Sequence, residues 1–401
     1  MQRRTFVAAM GATPALHPLL AAAQDDPWGA EAGYPTGWGT PRGLSREKRL
    51  YVGNFSGGFE TMLPNNTIQC GAEDPLRDKP RTDLRYRLNG VARSPDDYMA
   101  AWPVTGLLIA RRGEVWFEKY QFGRSADMRM TGWSMSKSVT SLLLGITVDR
   151  GKITSLEDTA AKYVPSLAGT LHGETSLRNL MNMSSGADIV HEQGNNTLYP
   201  AALTGPRANI EQTVHNWNTR REPAGTRFNY NELCPLTIGM VLRAVNSMSM
   251  SEFAEQALWK PLGAEANATW LTDAHHNEFN CIGFAARLRD WSRLGRLVAQ
   301  RGYANGRQIV SREWMESYSR WEANEAQVRY GALGKPAGAA YKAFMWHAKA
   351  NGTRPLFSGA YGQRVLVDLE TETVMVQTAV DEVGDWAREM FMLFQGVVGV
   401  G

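Results

Sequence analysis

The chain has 401 residues, 43% of them apolar, which is enough for one large domain or two lobes around a buried core. Lys and Arg number 43 against 40 Asp and Glu, a formal net charge of +3 with no long block of one sign, and this argues against a dedicated nucleic-acid partner. Cys70, Cys234 and Cys281 are too few and too widely spaced for a disulfide framework or a zinc site, though one bridge has room to form, and the seven histidines make no His-Glu-x-x-His pattern.

At the start, Met1-Gln2-Arg3-Arg4-Thr5-Phe6-Val7 sets a twin arginine before an apolar run that ends in Ala21-Ala22-Ala23. This predicts a Tat-type export signal over residues 1–23 and a periplasmic or secreted mature chain from near Gln24. The run, broken by Pro14, His17 and Pro18, is shorter than the roughly 20 apolar residues a membrane span requires. Residues 24–97 are rich in Gly, Pro and charge, with turn signals at Pro41-Arg42-Gly43 and Pro64-Asn65-Asn66, and read as a loop-rich extension. Regular structure begins with β-rich runs at 104–110 and 114–120 around Arg111-Arg112-Gly113, a hairpin. The middle of the chain is helical. Val139, Leu142, Leu143 and Ile146 recur at helical spacing over 134–149 before Gly151, and similar patterns cover 177–183, 232–245 and 287–300. Ser249-x-x-Glu252 predicts a capping box for a helix ended by Pro261 and Gly263. A second hairpin, 363–368 with 373–379, precedes a closing helix over 386–394.

Strands at both ends with helices between them imply an α/β (α+β) fold, an antiparallel sheet flanked by helices with an inserted all-helical lobe. The main domain is expected over 98–401, with the sheet lobe at about 98–133 and 285–401 and the helical lobe at about 134–284.

A serine hydroxyl attacks a carbonyl only if a base takes its proton. Ser134-Met135-Ser136-Lys137 offers one arrangement: a spacing of three puts both side chains on one helix face, the helix N-terminus favours negative charge, and a lysine shielded from water gives up its proton more easily. The spacing alone does not decide, because Ser45-Arg46-Glu47-Lys48 repeats it in a polar stretch, and an N-cap serine beside an exposed lysine is the competing explanation. Gly132-Trp133-Ser134-Met135-Ser136 misses the Gly-x-Ser-x-Gly elbow by its last residue.

Further blocks accompany Ser134: Gly151-Lys152-Ile153, Tyr163-Val164-Pro165, Leu180-Met181-Asn182-Met183-Ser184-Ser185-Gly186, Phe228-Asn229-Tyr230-Asn231-Glu232, and Leu356-Phe357-Ser358-Gly359-Ala360-Tyr361-Gly362-Gln363. From about Val104 onward this ordered series resembles the β-lactamase-related serine hydrolases, and its last block is similar to the 6-aminohexanoate-dimer hydrolase branch. The resemblance implies Ser134 as nucleophile, Lys137 and Tyr230 as proton-handling partners with Tyr230 the general base, and the backbone amides of Ser134 and Ala360 as an oxyanion hole. It places Trp346, Glu232, Gly359 and Tyr361 around the substrate. No metal or organic cofactor is implied, and the partner is a small-molecule ester or linear amide, with neither nucleic acid nor a membrane span. Two departures stand out. Glu232 replaces an Asn, and Phe357 replaces the Lys or His that would hold a substrate carboxylate, which disfavours β-lactams and D-Ala peptides unless Arg364 or His347 supplies the charge. A β-lactamase or D-Ala-D-Ala carboxypeptidase is the alternative enzyme, and a non-catalytic ligand-binding or sensor protein on the same fold is the alternative of another class.

Overall fold

The first expected hairpin forms as Val104–Arg111 and Glu114–Tyr120, and the second as Arg364–Asp368 and Thr373–Ala379. They meet at the centre of one sheet, because Thr373–Ala379 pairs antiparallel with Val104–Arg111 and so joins the two ends of the chain. In this computed structural model the sheet has eight strands, ordered Ala340–Lys342, Met345–His347, Pro355–Ser358, Arg364–Asp368, Thr373–Ala379, Val104–Arg111, Glu114–Tyr120 and Arg77–Asp78. All pairs are antiparallel except the last. The structure describes residues 60 and 63–400, apart from 190–196, 206, 318, 321–339, 350–351 and 381–385. The twin-arginine segment, Pro41-Arg42-Gly43 and the Ser45–Lys48 repeat lie outside the described residues.

Successive strand side chains point to opposite faces. Leu107 and Ile109 pack with Met390, Leu393 and Phe394 of the closing helix, Trp386–Val398, whereas Leu108 and Ala110 join the core that includes Leu294 and Leu297 of helix Leu288–Ala299. The sheet is thus covered on both faces, which explains why its central strands read as nearly continuous apolar runs.

The inserted lobe is built on helix Met135–Asp149, buried from Met135 through Thr147, against which helix Leu233–Asn246 packs. Ser249 and Glu252 form the expected capping box, and Gly263, in the left-handed region at φ 72°, ends the helical stretch after Leu262. The insertion also contributes a strand. Ala268–Leu271 lies in a four-stranded sheet with Asn65–Ile68, Phe284–Ala286 and Met130–Thr131. Pro64-Asn65-Asn66 therefore is not the turn its composition predicts. Residues 65–68 pair in register with 271–268, and Asn66 Nδ2 donates to Glu278 Oε1 at 2.8 Å, so tertiary pairing outweighs local turn preference. Among the described residues no single helix is long and apolar enough to cross a membrane.

Candidate active site

Gly132, Trp133 and Ser134 connect the short strand Met130–Thr131 to helix Met135–Asp149. The connection is tight: Gly132 N–H donates to Phe284 O at 2.9 Å, and Trp133 adopts φ 49°, a conformation that costs on the order of 1–3 kcal/mol for a residue with a side chain. Ser136 holds it in place. Its hydroxyl donates to Trp133 O at 2.7 Å and accepts from Phe284 N at 3.0 Å, while the Trp133 ring packs 4.8 Å from that of Tyr361. Ser134 is the N-cap by position but not by bonding: with φ −64° and ψ −5°, its side chain caps nothing.

Its hydroxyl instead meets Lys137, one helical turn on, whose Nζ donates to Ser134 Oγ at 2.9 Å and to Cys281 O at 2.9 Å. Lys137 is 1% exposed and pairs at 2.6 Å with the Glu232 carboxylate, also 1% exposed. Burial, the largest single influence, works against the charge on Lys137, but Glu232 together with Tyr230 and Cys281 outweighs it and holds the ammonium above the ordinary lysine range. The expectation that shielding would loosen the lysine proton is therefore corrected: the counterion, invisible to a local reading, reverses the sign.

Tyr230 completes the cluster. Its hydroxyl hydrogen-bonds the side chains of both Lys137 and Ser134, and Lys137 Nζ lies 4.9 Å from the ring centroid. The loop that delivers it is tethered at several points: Asn229 Nδ2 donates to Ala187 O at 3.0 Å and Ile189 O at 3.1 Å, and Asn229 N–H donates to Met183 O at 2.6 Å. Asn231 Oδ1 accepts from Cys234 N at 3.2 Å and so serves the start of helix Leu233–Asn246, leaving the Glu232 side chain to turn toward Lys137. Burial lifts the Tyr230 hydroxyl above the usual phenol range, with Lys137 pulling it back and Glu232 pushing it further up.

The opposite wall comes from the sheet. Trp346 stacks on Tyr230 with ring centroids 6.0 Å apart and packs 4.7 Å from Tyr341, and Phe228 closes the aromatic group. Gly359 abuts Gly132 so closely that a Cβ at Gly359 would sit 2.1 Å from Gly132 O. The exposed residue Ala360 and half-buried Tyr361 follow, beside the Ser134 loop. Arg364 donates to Gly359 O and, at 2.6 Å, to Gln363 O. In a trans peptide the C=O and the following N–H point in opposite directions, so this grip turns the Ala360 N–H away from Arg364.

The structure thus brings Ser134, Lys137, Tyr230, Trp346, Gly359, Ala360 and Tyr361 together. Glu232, placed around the substrate by the sequence, is instead buried against Lys137. Neither candidate replacement for the missing cation presents a free charge. His347 is 1% exposed and burial lowers its pKa to about 3, so it is neutral, while Arg364 is committed to two carbonyls and lies 5.0 Å over the Trp386 ring. Phe357 is wholly buried in the core. Sequence reasoning missed the Cys281 carbonyl and the Tyr341 ring, because a backbone acceptor carries no residue signature and aromatic packing has no fixed spacing. All three cysteines are free. A separate cavity of about 790 Å³ lies at the far end of helix Met135–Asp149, lined by residues including Val148, Asn182, Trp314 and Lys342, and none of the site residues opens onto it.

Comparison with known proteins bears on the family and the fold. The Beta-lactamase family model matches residues 91–379. The 6-aminohexanoate-dimer hydrolase of Paenarthrobacter ureafaciens is 25% identical over 288 residues, 67% of this chain and 71% of that protein. A Bacillus anthracis structure, named provisionally as a 6-aminohexanoate-dimer hydrolase, superimposes with a TM-score of 0.77 at 20% identity, covering 88% of this chain and 94% of that one. A family VIII carboxylesterase shares the fold at a TM-score of 0.58 and 15% identity, covering 75% of this chain and 95% of that one. With an antiparallel sheet, an inserted helical lobe and a family match across most of its length, the chain belongs to the β-lactamase family and is one of the β-lactamase-related serine hydrolases.

Proposed function

We propose that the protein hydrolyses a small linear amide or ester through an acyl-enzyme on Ser134. The observation that carries this reading is the convergence on Ser134 Oγ of Lys137 Nζ, at 2.9 Å, and the Tyr230 hydroxyl. Ser134 Oγ forms a bond to the substrate carbonyl carbon as its proton passes to the Tyr230 oxygen, with the Lys137 ammonium stabilising the phenolate form that accepts it. The Ser134 and Ala360 amides hold the developing oxyanion, and Arg364, by fixing the Gly359 carbonyl, keeps the Ala360 N–H turned the other way. Collapse breaks the bond to the leaving amine or alcohol, which takes the proton. Water then adds to the acyl carbon as its proton passes to Tyr230, and collapse breaks the bond to Ser134 Oγ, which takes that proton as the acid leaves.

Substrate class follows from the missing cation. With Phe357 in the core and Arg364 and His347 both unsuited, the third block offers nothing to clamp a carboxylate, while Trp346, Tyr230 and Tyr361 offer flat apolar surface. This supports a substrate that carries no carboxylate close to its reacting carbonyl: a simple ester, or a flexible amide of the type named for the Paenarthrobacter relative, whose carboxylate lies a whole aminohexanoate chain away from the amide. Export by the twin-arginine route belongs to the same proposal and rests on residues 1–23 alone; N-terminal sequencing of the secreted chain checks it.

The test is turnover of a short-chain nitrophenyl ester and of the linear 6-aminohexanoate dimer, with a chromogenic cephalosporin as comparison. Ester or amide turnover that disappears in Ser134→Ala, with an acyl adduct on the Ser134 peptide by mass spectrometry, is the expected result. Undiminished turnover in Ser134→Ala would sink the proposal, and preferential turnover of the cephalosporin would sink the substrate class.

A further inference from the structure

We propose that Glu232 is a positioning residue that carries the resting negative charge of the site, so that Tyr230 rests as a neutral phenol and not as the counterion of Lys137. The inference rests on the acyl-transfer reading for its consequence, but its basis is the arrangement of charges. Lys137 is enclosed by Ser134 Oγ, the Cys281 carbonyl, the Tyr230 ring and hydroxyl, and the Glu232 carboxylate at 2.6 Å. Two isolated charges so deeply buried would be costly, and the pair is tolerated because each neutralises the other. One ammonium in such a place accepts one full counterion. With Glu232 present that role is filled, and ionising Tyr230 as well would leave the enclosed group with a net negative charge.

The surroundings support this allocation. From the helical side Tyr230 faces Lys137, Ser134 and Glu232; from the sheet it faces the Tyr341 hydroxyl and, at longer range, Arg364. Glu232 in turn meets the Cys281 thiol, whose pKa is pushed well up by burial and then by Glu232 itself, while the Tyr199 hydroxyl lies 3.5 Å from Oε1 and Cys234 sits at the start of the same helix. Arg364 is spent on backbone carbonyls, which leaves Lys137 as the cation in direct contact with Tyr230. Turnover then proceeds through the minor ionised form of Tyr230, and its rate climbs with pH as that form accumulates.

The consequence is an unusual direction of change. Removing the Glu232 charge while keeping its shape, as in Glu232→Gln, makes the Tyr230 phenolate the sole partner available to Lys137, so the tyrosine ionises at lower pH. The ascending limb of the kcat/KM profile should move toward acid by at least one pH unit, about a tenfold change in the ionised fraction. A residue that merely supports the fold would lower kcat at every pH without moving the limb. The second measurement uses the unaltered chain: tyrosinate absorbance is titrated against Tyr230→Phe, which isolates Tyr230 among the 13 tyrosines. No Tyr230 phenolate should appear at pH 8. Phenolate present in the unaltered chain at that pH overturns the inference, as does a Glu232→Gln limb that stays put or moves toward alkali. Because the titration does not depend on turnover, it still reports on charge allocation if Ser134→Ala remains active and the acyl-enzyme reading fails.

Discussion

Ser94, Ser249 and Ser134 each stand at the start of a helix, and they use that place in two ways. At Ser94 and Ser249 the backbone is extended, the hydroxyl accepts from the amide three residues on at 3.2 and 3.1 Å, and an acidic side chain at that third position, Asp97 or Glu252, bonds back to the serine amide. At Ser134 the backbone is already helical, the third residue is Lys137, and the hydroxyl accepts from the lysine ammonium instead. The first two serines close their helices, and the third leaves its helix uncapped. A cap contributes about 1 kcal/mol, so Ser134 forgoes a common stabilising bond and, with Trp133 held in a left-handed conformation, sits where the chain is locally strained. The same residue at the same helix position thus caps its helix or meets a buried lysine according to one backbone torsion and the charge one turn away.

Substitutions can press on this difference. The largest effect belongs to Ser134→Ala, which should lower kcat/KM by about 10³-fold or more, measured with the nitrophenyl ester, while leaving the melting temperature nearly unchanged because no cap is lost. Lys137→Met strands the Glu232 carboxylate in the interior and should destabilise by roughly 3–5 kcal/mol in denaturant titration, beyond abolishing turnover. Ser249→Ala should do the reverse of Ser134→Ala, costing about 0.5–2 kcal/mol of stability with kcat/KM held within about twofold. Smallest of all, Glu252→Lys creates a second Ser-x-x-Lys at a helix start. Introduced into Ser134→Ala it should restore no turnover and cost about 1 kcal/mol, from the lost bonds between the Glu252 carboxylate and Ser249 and from an unfavourable charge at the helix N-terminus. Any turnover regained there would mean that the spacing, and not its surroundings, makes the site.

These surroundings mark the limit of what could be read in advance. Helix Met135–Asp149 and the two central hairpins were legible because their apolar residues are contiguous and bounded by glycine or polar turns. Ser134, Lys137 and Tyr230 were legible through ordered blocks, each local in sequence. The Glu232–Lys137 pair was not, because it joins residues far apart in the chain, and an acidic residue at a helix start has an ordinary explanation in the helix dipole. The strand at Asn65–Ile68 was hidden for a related reason: two asparagines after a proline favour a turn until a distant partner strand offers its hydrogen bonds.

The contact between Gly132 and Gly359 works as a ruler for the cleft. Gly359 has φ −120° and ψ 160°, a conformation open to any residue, so what excludes a side chain there is room and not torsion. The carbonyl of Gly132 occupies the space a methyl would need. Even alanine would act as a wedge, driving apart the two segments that carry the Ser134 and Ala360 amides. The separation of those amides is therefore set by atoms the chain omits, and the spacing at which they could share one oxygen is written in the absence of a side chain.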